Sequence, residues 1–153
     1  MSKHEGFKKE QREAEKREKE EIKRAREMLK AVPKFNIGAL FMPPIWGPAH
    51  GWWLAIVFYP LWLFADNVFY AAYIGASDNA GILALVTFVL LTAFTFAFSY
   101  FGQLHAVQRA LDMGLTTNEF VKKQRFWAVL SVIIGIAFIA FATYYNLCVR
   151  TGI

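Results

Sequence analysis

Three apolar runs, each about 23 residues long, constrain this chain more than any other feature; they cover about residues 52–74, 82–104 and 126–149. At 1.5 Å per residue each makes about 35 Å of helix, enough to cross about 30 Å of hydrocarbon with some tilt. Lipid offers no partner to a free backbone N–H or C=O, and a continuous helix satisfies its own. The runs therefore predict an all-α membrane protein with three transmembrane helices. With 56% hydrophobic residues the chain is also more apolar than an ordinary soluble domain.

The charges divide the chain. Residues 1–34 hold twelve Lys/Arg and eight Asp/Glu, a net of +4, while the other 119 residues hold five basic and four acidic, a net of +1. The 105–125 loop carries four of those bases (Arg109, Lys122, Lys123, Arg125), and the turn between the first two runs carries none. Only Arg150 follows the third run. Basic residues stay on the cytoplasmic side, which predicts a cytoplasmic N-terminus and an outside C-terminus in a cell inner membrane. The charged start is no short apolar leader, so insertion is expected through the internal runs.

Between arm and first run lies FNIGALFMPPIWGPAHGWW, residues 35–53, without acid, lysine or arginine. A crossing here would force the basic 105–125 loop outside. It is also too short, at about 14 residues before His50, and Pro43 and Pro44 would break a continuous helix. Residues 35–51 are therefore expected to form an interfacial or shallow re-entrant element on the cytoplasmic leaflet. Trp46, Trp52 and Trp53 suit the headgroup boundary. Asn36, Gly38, Pro43, Pro44, Gly47 and His50 complete the element.

The 1–34 arm reads as a charge-laced helix with Glu-to-base pairs at i,i+4, Glu15–Lys19 among them. Its thin apolar stripe (Phe7, Ala14, Ile22, Ala25, Leu29, Val32) offers a partner-facing seam, and its basic excess offers contacts to anionic lipid. The interleaved glutamates argue against nucleic acid. In the 105–125 loop, the second helix is expected to stop at Gly114, and Thr116 with Glu119 forms a capping box for the third. The loop is a helical hairpin.

Small residues mark helix contacts in lipid. Ala128, Ser131, Gly135, Ala142 and Asn146 form one stripe, and Thr92, Thr95, Ser99 and Gly102 another. The two are expected to face each other or the first span, leaving Phe94, Phe98 and Phe101 to lipid. Pro60 is expected to kink the first span. Beyond it stands Asp66, the one acid inside a run, next to Asn67. A charge at the membrane centre costs roughly 2.5–3.5 kcal/mol, so Asp66 is expected to face the bundle, with Thr87, Thr92 or Asn146 as partner. Asp66, Asn67, Thr92 and Asn146 form the candidate intramembrane polar site.

No nucleophile–base pair, phosphate loop or nucleotide motif stands out. The single cysteine, Cys148, excludes an intrachain disulfide. His50 and His105 lie near one boundary with Asp112 as the sole nearby acid, which favours ordinary hydrogen bonds over a metal. Neither enzyme activity nor a cofactor is expected.

Around Asn36, Gly38, Ala39, Leu40, then Ile45, Trp46, Gly47, then His50 and Gly51, the sequence resembles a group of uncharacterised small bacterial multi-pass membrane proteins. These carry an N-W-G-A-F-like stretch, I-W-G and H-G before the first span. This chain departs with Ile37 and with the Pro43–Pro44 pair. The resemblance implies a bacterial cytoplasmic membrane and a fixed interfacial element, and no catalytic residue carries over. The expected role is a non-enzymatic accessory or docking subunit of a membrane complex. The alternative is a small homo-oligomeric channel or transporter using Asp66.

Overall fold

The computed structural model describes residues 3–150; residues 1–2 of the charged arm and 151–153 of the tail lie outside it. Within that range the elements are all helical: α1 (Lys3–Lys30), α2 (Ile37–Phe41), α3 (Pro43–Ala49), a 3₁₀ turn (Trp53–Val57), α4 (Phe58–Tyr73), α5 (Ala80–Asp112), α6 (Thr117–Tyr144) and a π-helical end (Tyr145–Arg150). Three helical stretches are long and apolar enough to cross a membrane: Trp53–Tyr73, Ala80–Asp112 and Thr117–Arg150.

The first stretch is not one regular helix. Pro60 falls in the first turn of α4, where a missing N–H costs least, and the residues before it wind as 3₁₀. The expected kink thus takes the form of a change of helix type.

The second and third stretches run beyond their apolar cores. α5 ends in a Schellman motif: Leu115 N donates to Ala110 O and Gly114 N to Leu111 O, both at 2.9 Å. Gly114 supplies the positive φ of 66° that this geometry needs. Thr116 then caps α6 in a reciprocal box with Glu119, whose carboxylate accepts from Thr116 N at 2.9 Å and Thr116 Oγ1 at 2.8 Å.

From this turn α5 and α6 splay. They have no extended contact with each other; α2 lies between them and packs on both. Of the small-residue stripes, Ser99, Gly102 and Gly135 serve this arrangement, while Asn146 at the far end of its stripe does face the first span. A Cβ on Gly102 would stand 3.1 Å from the Trp46 ring, and one on Gly135 would stand 3.4 Å from Phe41 O. The bare backbones of α5 and α6 are what admit the α2–α3 wedge.

Phe98 departs from its expected lipid position. It is buried, stacked on Trp52 at 4.5 Å and edge-on to Phe58 at 5.0 Å. Phe101 remains exposed, and Phe94, also exposed, stacks on Phe58 at 5.1 Å. The 3₁₀ turn and the start of α4 cover that flank of α5.

α1 is fastened at its C-terminal end only. Met28 is fully buried, and Ala25, Leu29 and Val32 pack with it against the hairpin end of α5 and α6, among Ala106, Val107, Ala110 and Phe120. Residues 7–24 are exposed throughout.

Candidate functional site

The wedge is held by one asparagine. Asn36 caps α2 by accepting from Ala39 N at 3.0 Å. Its Nδ2 donates to Gln124 Oε1 on α6 at 2.7 Å. Its backbone faces α5: Asn36 N donates to Ser99 O at 3.2 Å, and Ser99 Oγ donates to Asn36 O at 2.8 Å. Pro43 and Pro44 occupy the first turn of α3, where their missing N–H groups would be unpaired anyway. Both are buried, so protein covers the backbone they leave irregular.

Trp46 fills the centre of the wedge. The notion of a boundary tryptophan fits it poorly, since it is 0% exposed and enclosed by Gly38, Gly102 and Phe98. Its indole N–H has no partner. Trp53 is the exposed one of the three, and Trp52 is half-buried. Gly47 meets Ala55 and the Trp52 carbonyl so closely that no side chain would fit.

His50 ends α3 and stacks on Trp46 at 4.2 Å, with Nδ1 donating to Trp46 O at 2.8 Å. Its own carbonyl accepts from Arg109 Nη1 at 2.7 Å and His105 Nε2 at 3.1 Å. The next residue, Gly51, has φ of 80°, and the Arg109 guanidinium occupies the place a Cβ would take. Burial pushes the His50 imidazole down to about 4, with Arg109, His105 and Lys123 adding to the same effect against the bond to Trp46 O. This ring is neutral at pH 7. The histidines therefore act as wedge fasteners from α3 to α5.

The candidate polar site around Asp66 lies further along the bundle. Asn146 Nδ2 donates to Asp66 Oδ1 at 2.6 Å, bridging the π-helical end to α4. Asn67 enters through a residue that sequence reasoning assigned to the outer tail: Arg150 donates to Asn67 Oδ1 at 2.8 Å. The same guanidinium lies 3.8 Å from Asp66 Oδ2 and 3.9 Å from the centre of the Tyr70 ring. The extra residue per turn in a π-helix is compatible with Asn146 and Arg150 both reaching α4. A lone base closing the third run, opposite a lone acid in the first, was the available signal for this pair.

Beside Asp66 opens a cavity of about 730 Å³. It lies where α5 and α6 splay beyond the wedge tip, with Leu40, Phe41 and Met42 as its floor and α4 along one side. Thr92 lines it, as do Gly135 and Ala142, whereas Asn67 does not. Asp66 and Asn146 are thus in direct contact, Thr92 lines the same cavity as Asp66, and Asn67 joins by way of Arg150. Comparison of the chain with protein-family models, with curated proteins and with solved structures found no match.

Proposed function

We propose that this chain is a non-enzymatic multi-pass protein of a cell inner membrane that acts as an accessory or docking subunit, presenting α1 to a partner protein. The observation that carries this reading is the mounting of α1. Its last turns are built into the core through Met28, yet residues 7–24 are exposed and include Phe7 and Ile22. Some 18 residues of helix, about 27 Å, then project from a fixed base. A solvated helix gains only a few tenths of a kcal/mol from pairs such as Glu15–Lys19 at 2.6 Å. Such a helix has a use when something else packs on it.

In this reading the N-terminus and the α5–α6 turn are cytoplasmic, the C-terminus is outside, and residues 35–51 form a shallow re-entrant wedge in the cytoplasmic leaflet. Basic residues at the hairpin end and along α1 also meet anionic lipid headgroups. The test is a deletion of residues 7–24, which leaves Met28 in place. Co-purification of a stoichiometric partner from native membranes is lost, while membrane insertion is kept. Undiminished association of the shortened chain would sink the reading.

The second reading, a homo-oligomeric channel or transporter organised on Asp66, draws support from the cavity that Asp66 lines and from its contacts to Asn146 and Arg150. Three spans enclose no pore alone, so it requires several copies. It predicts a flux across vesicle membranes that Asp66→Asn abolishes; an unchanged flux removes it.

A further inference from the structure

We propose that the cavity between α4, α5 and α6 binds a lipophilic monocation, with Asp66 as its counter-ion and Arg150 as a tethered cation that the guest displaces.

The walls are apolar and rich in aromatic rings, Tyr59, Trp62, Phe69, Phe88, Phe138 and Tyr145 among them. Ring faces carry partial negative charge and attract cations, most strongly where water is excluded. Asp66 is the one acid in this lining, and its side chain is about 35% exposed, so the carboxylate is reachable from the cavity. The volume of about 730 Å³ falls in the range of small-molecule sites, about 300–1,000 Å³.

Arg150 already shows what the site prefers. A cation sits at Asp66, but at 3.8 Å, longer than the 2.7–2.9 Å or so of a direct charge-assisted hydrogen bond. Its one direct hydrogen bond under 3 Å goes elsewhere, to Asn67 at 2.8 Å, and its guanidinium also lies over the Tyr70 ring at 3.9 Å. Arg150 can therefore leave Asp66 and keep both of these partners. A cationic guest then replaces its charge, whereas a neutral or anionic guest has nothing to offer the carboxylate. The inference is independent of what docks on α1.

The test uses the full chain in detergent and two probes of one shape and opposite charge, tetraphenylphosphonium and tetraphenylborate, followed by equilibrium dialysis and by Trp fluorescence. Saturable binding of about one phosphonium per chain is expected, with no saturable binding of the borate. Asp66→Asn, checked for unchanged elution and helicity, weakens phosphonium binding at least about tenfold. Arg150→Gln, at the exposed end of the helix, strengthens it severalfold. Equal binding of both probes, or full phosphonium binding by Asp66→Asn, would show a site for apolar chains such as lipid tails and overturn the proposal. Unchanged affinity in Arg150→Gln would overturn the displacement.

Discussion

Asn36 and Gln124, 88 residues apart, are joined by a 2.7 Å hydrogen bond from Nδ2 to Oε1, and through it α2 is clipped to α6 while the Asn36 backbone is clipped to Ser99 on α5. Replacing Asn36 by alanine removes the cap of α2 and leaves the Gln124 amide without its partner. Losing an N-cap costs about 1 kcal/mol, and an unpaired buried polar group about 1–3 kcal/mol. Gln124 is only half-buried, so Asn36→Ala is expected to lower stability by about 1–3 kcal/mol, read as a lower thermal midpoint in detergent. Asn36→Asp keeps the cap but sets a buried carboxylate oxygen against Gln124 Oε1, so it is expected to be destabilised as well. An alanine variant as stable as the parent would show that the clip does not hold the wedge.

Gly38 and Gly81 make a matched pair. A Cβ at Gly38 would stand 2.5 Å from Trp46 Cδ1, whereas one at Gly81 meets nothing within 4 Å. Overpacking costs about 1–3 kcal/mol, so Gly38→Ala is expected to destabilise by that amount. Gly81→Ala, inside α5, is expected to gain up to about 1 kcal/mol. Similar midpoints for the two variants would contradict the tight seat described for Trp46.

His50 gives a pH dependence whose sign follows from its surroundings. Its ordinary value of 6.5 is lowered to about 4 in the fold, chiefly by burial. Between these values the unfolded chain binds a proton that the folded chain refuses, so stability falls as the pH falls through this window. Above 6.5 the contribution is constant. The ring is half-buried and keeps some contact with water, so the loss is on the order of 2 kcal/mol at most. Thermal midpoints at pH 7 and 4.5 should converge less in the parent than in His50→Gln, which lacks this component. Equal slopes would mean that His50 is not buried as described.

Much of the helical framework is legible in the residues. The three apolar runs, the stop at Gly114 and the Thr116–Glu119 box act within a few neighbouring positions, where spacing alone carries the information. The wedge was harder to read. Helices of five and seven residues, punctuated by Pro and Gly, leave no periodicity, and nothing local says that Asn36 will meet Ser99 and Gln124. Hydrophobicity could not separate Phe98 from Phe101, because a membrane helix is apolar on its lipid face and its protein face alike. Met28 was absent from the arm's stripe, yet it is the residue that anchors α1. Spacing leaves Arg150 among the tail charges, because its reach back to Asp66 depends on where the π-helical end comes to lie beside α4.

The use of α1 is tested most directly by placing a photo-crosslinking residue at Phe7 or at Ile22, both exposed, in the full chain in native membranes. Adducts are then identified by mass spectrometry. A docking arm predicts one discrete partner protein captured from both positions, in proportion to the chain, and not captured by the same residue placed at Ile139, which is exposed on the apolar surface of α6. Adducts only to lipid or to the chain itself, from both arm positions, would contradict a docking role.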